Sequence, residues 1–283
     1  MTIRSWLLGG CALALLAAPA SAATLERIDE TGVIKLGVRT DARPFSYRNA
    51  EGEAAGYSVA LCLLVAEAVA DKVGRDELEI ETVDLTADDR FQAVADGNVD
   101  ILCGASTMTL ARREIVDFSL PTFTDGASVL FRADGPASLE ALAGGKIGVR
   151  DGTTTETALR ATLQEAGIAA EVVAVTDHED GLRRLENNEI GAYFADRAIL
   201  TFLLIGSENR DALRLSERYF TYETHALAVP RDDADFRLVV DSALAQLYRS
   251  GRVAELFRAA FGPDARPSQP LELLYILFGL PAE

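Results

Sequence analysis

Val99-Asp100-Ile101-Leu102-Cys103-Gly104-Ala105-Ser106-Thr107-Met108-Thr109-Leu110-Ala111-Arg112-Arg113-Glu114-Ile115-Val116-Asp117-Phe118-Ser119-Leu120 is the stretch from which the fold is read. Its first four residues have the length and apolar character of a short buried strand. The chain then turns small and polar over Gly104–Thr107. Thr109 stands at a helix N-cap position, and a short helix is predicted over Leu110–Ile115. A strand C-terminus, free backbone amides and the Arg112 guanidinium therefore converge. In an open α/β sheet, ligands bind at such a point. Amide donors and a planar, two-pronged guanidinium suit a carboxylate. Taken alone, Arg112 has a plainer reading as an arginine on a solvated helix face.

Outward from this stretch, strands and helices alternate. Val33–Arg39 reads as a first strand, Ser58–Val73 as an apolar helix and Leu78–Asp84 as a second strand. Asp88–Asp96 is a short helix with Arg90 in its first turn. This β-α-β-α-β order predicts a parallel sheet with helical crossovers. A second unit begins at Lys146–Arg150. Its helix opens on Thr153-Thr154-Thr155-Glu156, a capping-box pattern. Glu171–Val175, Asp177–Asn187 and Ile190–Phe194 complete it. The helices over Asp233–Arg249 and Arg252–Phe261 have no sheet of their own, so the chain is expected to return to the first unit. Ala127–Arg132 and His225–Val229 would then be the crossing strands of a hinge that lets two lobes close on a ligand. The expected architecture is α/β and two-lobed, each lobe a mixed, mainly parallel sheet flanked by helices. Lobe 1 comprises residues 24–130 and 228–283, and lobe 2 comprises 131–227.

Composition narrows the function. Arg4, the apolar run Trp6–Ala18 and the small residues Ala20-Ser21-Ala22 predict a cleavable secretory signal peptide over residues 1–22. The apolar run is too short to span a membrane. The chain carries 44 acidic against 27 basic residues, a net charge of −17, which disfavours nucleic acid and anionic membranes as partners. Two cysteines survive cleavage, Cys62 and Cys103, and outside the cytoplasm they form either one disulfide or two buried thiols. With two histidines and no CxxC or HExxH spacing, neither a metal nor a cofactor is expected. GxSxG, Walker and GxGxxG motifs are absent from the sequence.

Several segments together resemble a known family. Pro44-Phe45-Ser46-Tyr47, Gly56-Tyr57, Asp100-Ile101, Thr109-x-x-Arg112, Val116-Asp117-Phe118-Ser119, Asp151-Gly152-Thr153-Thr154 and Asp196 are similar to their counterparts in the periplasmic amino-acid-binding proteins of ABC importers, solute-binding protein family 3. Arg39, Arg90, Cys103-Gly104 and Asp177-His178 resemble the glutamate/aspartate-binding branch most. The resemblance implies a periplasmic, monomeric capture protein that delivers an acidic L-amino acid to a membrane permease and performs no covalent chemistry. It also implies a ligand set. Arg112, with Thr107, the amides near Ala105 and Thr154 at a helix N-terminus, would hold the α-carboxylate. Asp196 would pair with the α-ammonium. Arg39, Arg90 and His178 would meet a side-chain carboxylate.

Each of these residues has a structural alternative: an ion pair for Arg39 and Arg90, a core role for His178, a helix cap for Asp196 and Thr154. Ala87 and Ala105 stand where the glutamate/aspartate branch carries hydroxyls. Two other functions share the fold. One is a periplasmic enzyme resembling cyclohexadienyl dehydratases, which would need a general acid in the cleft. The other is a stand-alone sensory or accessory binding module. The apolar tail Leu271–Leu280 is expected to pack on lobe 1.

Overall fold

The computed structural model describes residues 24–282, so the expected signal peptide lies outside the described residues. The chain runs α1 (Thr24–Thr31), β1 (Val33–Arg39), β2 (Asp41–Ala42), β3 (Ser46–Arg48), β4 (Ala54–Ala55), α2 (Tyr57–Val73), β5 (Glu79–Leu85), α3 (Arg90–Ala95), β6 (Ile101–Cys103) and β7 (Asp117–Asp125). It continues through β8 (Ala127–Arg132), β9 (Lys146–Arg150), α4 (Thr154–Ala166), β10 (Glu171–Val175), α5 (His178–Glu186), β11 (Ala192–Asp196), α6 (Arg197–Gly206) and β12 (Leu213–Leu215). Last come β13 (Glu223–Val229), α7 (Ala234–Ser250), α8 (Val253–Phe261) and α9 (Gln269–Phe278).

Two five-stranded sheets result, in the orders β5-β1-β6-β13-β7 and β10-β9-β11-β8-β12. In each, one strand opposes the others, β13 in the first and β8 in the second. Both sheets are therefore mixed and mainly parallel. The parallel pairs follow from the helical crossovers, because a parallel neighbour cannot be reached by a tight turn. Central strands lie between helices and are apolar on both faces: in β6, Ile101 and Cys103 enter one core and Leu102 another, all fully buried. In α2, Leu61, Cys62, Val65 and Val69 are fully buried against that sheet, each large aliphatic side chain contributing about 1.5–3 kcal/mol.

The chain passes between the sheets at two places. The first is Gly126, between β7 and β8, where the backbone of the returning chain comes so close that a Cβ would overlap the Thr221 carbonyl. The second lies between Phe220, whose amide still bonds Ala127 of the second sheet, and β13. By pairing, Ala127–Arg132 belongs wholly to the second sheet and Glu223–Val229 to the first. These passages precede the divisions at 130/131 and 227/228 read from the sequence.

Two local expectations change. The helix predicted over Leu110–Ile115 is a single 3-10 turn, Arg112–Glu114. Thr109 still caps it, its hydroxyl accepting from the Arg112 amide at 3.1 Å. The turn is short because the chain must reach β7 at Asp117. The Cys62/Cys103 alternative resolves to a disulfide joining α2 to β6. In the tail, Leu271, Leu274 and Tyr275 of α9 enter the first core, while Leu273, Ile276 and Leu277 face outward.

Candidate functional site

Between the sheets lies a cavity of about 20 Å3 lined by Arg39, Ala42, Arg90, Ala105, Thr107, Arg112, Thr153, Thr154, Thr155, His178, Asp196 and Ile199. All eight residues singled out in the sequence line it. Strand ends and helix starts deliver them: Arg39 closes β1, Arg90 opens α3, Thr154 opens α4, His178 opens α5 and Asp196 ends β11. The Thr107 and Thr154 hydroxyls, one from each lobe, are 3.2 Å apart. Gly152 (φ 67°) comes so close to Asp88 across the cleft that a Cβ would overlap its carboxylate. The lobes are therefore closed.

The cations differ in how they are held. Arg39 donates Nε and Nη2 to Asp41 Oδ1 at 2.9 and 2.6 Å. Arg150 of the second lobe approaches the other oxygen of Asp41 at 3.6 Å. Burial acts to raise the Asp41 pKa, but the Arg39 guanidinium and other positive neighbours outweigh it and hold the carboxyl below its ordinary value. Arg112 donates to the Thr107 carbonyl at 2.7 Å and stacks on Phe91, 4.6 Å from the ring centre. Arg90 is different. It is 2 % exposed, and neither Nε nor Nη1 has a hydrogen-bond partner. Burial, and then repulsion from Arg39 and Arg112, push its pKa down to about 9. Asp88 attracts it at longer range, but a buried guanidinium without a hydrogen-bonded acid is costly, so this position calls for an anion.

His178 lies at the cavity wall with Nδ1 2.7 Å from the Tyr193 hydroxyl. Burial lowers its pKa to about 4, so it is a neutral hydrogen-bonding group. Asp196 makes no side-chain cap to α6, which leaves its carboxylate to the cavity. Its pKa is raised by burial and then by the nearby Glu223 and Asp125 carboxylates. Thr153, not Thr154, is the N-cap of α4, accepting from the Glu156 amide at 3.2 Å. The helix is thus capped without Thr154, whose hydroxyl donates to Glu223, while the Glu156 side chain accepts from the Gly152 amide.

Sequence reasoning missed Glu223 and His225 at the start of β13. Glu223 Oε2 accepts from Thr154 at 2.9 Å and from Thr107 at 2.5 Å. Its Oε1 accepts from Thr221 at 2.7 Å. His225 is 2 % exposed, and neither ring nitrogen has a partner. Phe45 meets its ring edge-on at 5.3 Å and Phe123 stacks on it at 6.1 Å. One acceptor atom each from Asp196, Glu223 and His225 lie within 4.8 Å of one another. A signal was present: Glu-x-His opens an apolar strand, and alternation puts both residues on one face.

An L-glutamate/L-aspartate-binding protein of Pseudomonas aeruginosa is 32% identical over 260 residues, 90% of this chain and 86% of that protein. A glutamate/aspartate import solute-binding protein of Escherichia coli is 29% identical over 245 residues, 85% and 80% of the two chains. Among solved structures, an ancestral amino-acid-binding protein, a precursor of cyclohexadienyl dehydratase, superposes with a TM-score of 0.72 at 24% identity, covering 85% of this chain and all of that one. Its likeness shows the two-lobed fold. Among the described residues, no helix is long and apolar enough to cross a membrane. The sequence profile of the bacterial extracellular solute-binding proteins, family 3, matches residues 34–263, and the chain belongs to that family.

Proposed function

We propose that the protein captures a dicarboxylic L-amino acid, glutamate or aspartate, between its lobes and passes it to the membrane permease of an ABC importer. The observation that carries this reading is Arg90. It is a buried guanidinium with two unpartnered nitrogens, set beside Arg39 and Arg112 in a cavity whose lining offers one acid, Asp196. A ligand with two carboxylates and one ammonium balances that set. Arg112, Thr107, the amides near Ala105 and Thr154 take the α-carboxylate. Asp196 takes the α-ammonium, and Arg90, Arg39 and His178 take the side-chain carboxylate. The relatives that bind glutamate and aspartate support the same ligand class.

In this reading the protein acts as a periplasmic monomer after its signal peptide is removed. Its lobes, residues 24–125 with 223–283 and residues 127–220, rotate about the two passages and catalyse nothing. Calorimetric titration of ligand-stripped protein tests the ligand class. Heat is expected with L-glutamate or L-aspartate and much less with L-glutamine or L-arginine. Equal affinity for glutamine would overturn the dicarboxylic assignment. The Asp196 carboxyl, held protonated more readily than usual, favours one second reading, a general acid in a dehydratase-like enzyme. Incubation with prephenate and arogenate is expected to give no product.

A further inference from the structure

We propose that the Glu223 carboxylate is a built-in competitor of the ligand. It occupies the hydroxyl donors that the α-carboxylate of an amino acid needs, so cargo binds only by displacing it. Glu223 thereby sets the affinity of the site and ties the two lobes together on its own. This rests on the assignment of Thr107 and Thr154 to the α-carboxylate given above.

The protons of the two hydroxyls can be counted. A hydroxyl has one O–H to donate, and a carboxylate only accepts. Thr107 donates to Glu223 Oε2 at 2.5 Å, and Thr154 donates to the same oxygen at 2.9 Å. Neither has a second proton for another carboxylate. Glu223 stands behind the cavity wall and reaches it through these two threonines, which line it. The space beside them, about 20 Å3, has room for about one water. A carboxylate therefore replaces Glu223 on the threonines and does not sit alongside it. The electrostatics point the same way. Burial lowers the Arg112 pKa, and Glu223, ahead of Asp196, works to raise it. Glu223 thus has the partners assigned to the ligand α-carboxylate: both hydroxyls, with Arg112 at longer range.

The backbone determines which of these contacts gives way. The Met108 amide donates to the Thr224 carbonyl at 2.9 Å, and the Ala226 amide to the Ser106 carbonyl at 3.1 Å. Between them Thr107 is bridged to His225. Thr107 and Glu223 therefore belong to one lobe and move together. Thr221, in the second passage, donates to the other oxygen, Oε1, at 2.7 Å, which aims the carboxylate. Thr154 opens α4 of the opposite lobe. The Glu223–Thr154 bond alone in this set spans the cleft, and it breaks when the lobes part. On reclosure over an amino acid, the ligand and Glu223 contend for the same two protons.

The test compares the stripped mature protein with Glu223→Ala and Glu223→Gln. Ala removes the competitor. Gln keeps its shape and an acceptor oxygen but not its charge. Calorimetry with L-glutamate is expected to show tighter binding, by about ten-fold for Ala and about three-fold for Gln. Small-angle scattering without ligand is expected to show a more extended particle for Glu223→Ala than for the unaltered protein, and saturating L-glutamate should erase the difference. Weaker glutamate binding in both variants would overturn the proposal, because Glu223 would then assist the ligand, through its ammonium or by bracing the site. So would unchanged affinity, whatever the scattering. Identical scattering of the ligand-free proteins would overturn the tie between the lobes. If all three proteins fail to bind glutamate and aspartate, the amino-acid reading falls and the competition with it; loss of binding in the variants alone overturns only the role given to Glu223.

Discussion

Replacing Arg90 with Met should move stability and affinity in opposite directions. A guanidinium ordinarily keeps its proton past about pH 12, and burial, with repulsion from Arg39 and Arg112, pushes the pKa of Arg90 down to about 9. Each power of ten corresponds to about 1.4 kcal/mol, so keeping this charge buried costs on the order of 4 kcal/mol. The side chain recovers part through its position over Phe91, 4.6 Å from the ring centre, a contact of about 1 kcal/mol. Met retains the apolar stem and drops the charge. The ligand-free variant should therefore be more stable by about 1–3 kcal/mol. At roughly 2–4 °C per kcal/mol for a chain of this size, its melting temperature rises by several degrees. Binding goes the other way. Removing one partner of a buried, hydrogen-bonded charge pair costs about 2–5 kcal/mol, or roughly 30- to several-thousand-fold in Kd. L-glutamate should suffer that loss and L-glutamine only a small part of it. Differential scanning fluorimetry on stripped protein and calorimetry with both amino acids read the two effects. A variant that melts earlier and loses both ligands equally would refute the reasoning, because Arg90 would then be a strut and not an unpaired cation.

Arg112→Ala should weaken every amino-acid ligand by about 2–5 kcal/mol, glutamate and glutamine alike in calorimetry, since the α-carboxylate is common to both. Replacing Cys62 and Cys103 together with Ala should cost about 4 kcal/mol in urea unfolding, the loop-closure value for cysteines 41 residues apart. Asp125→Asn isolates a buried acid. Burial, and then repulsion from Glu223 against its two backbone donors, raise the Asp125 pKa to about 7. Its contribution to stability is thus complete below about pH 4, the ordinary aspartate value, and is lost as pH rises through about 7. The melting temperature of Asp125→Asn relative to the unaltered protein should accordingly climb between those limits and be flat on either side.

Periodicity and punctuation carried most of the architecture. The Val33–Arg39 strand matches residue for residue, and α2 begins one residue early, because long apolar runs bounded by glycine have one reading. Which sheet a crossing strand joins is less visible. Ala127–Arg132 is apolar in either setting, and its place is fixed by hydrogen bonds to β11 and β12. Arg39 was legible as a cavity residue, but its tight pairing with Asp41 was not. That contact arises two residues away through a bend, not through a helical spacing. Glu223 and His225 escaped because their chemistry appears only when β13 brings them beneath Asp196, a residue far away in sequence. An unpaired arginine is equally silent in sequence, since Arg90 is defined by what the fold withholds from it.

A crystal structure of the protein loaded with L-glutamate tests the central claim most directly. The side-chain carboxylate should be within hydrogen-bonding distance of the Arg90 guanidinium, with the α-carboxylate on Arg112 and the ammonium on Asp196. A ligand bound elsewhere, or one in the cavity that leaves Arg90 without an anionic partner, would contradict the account.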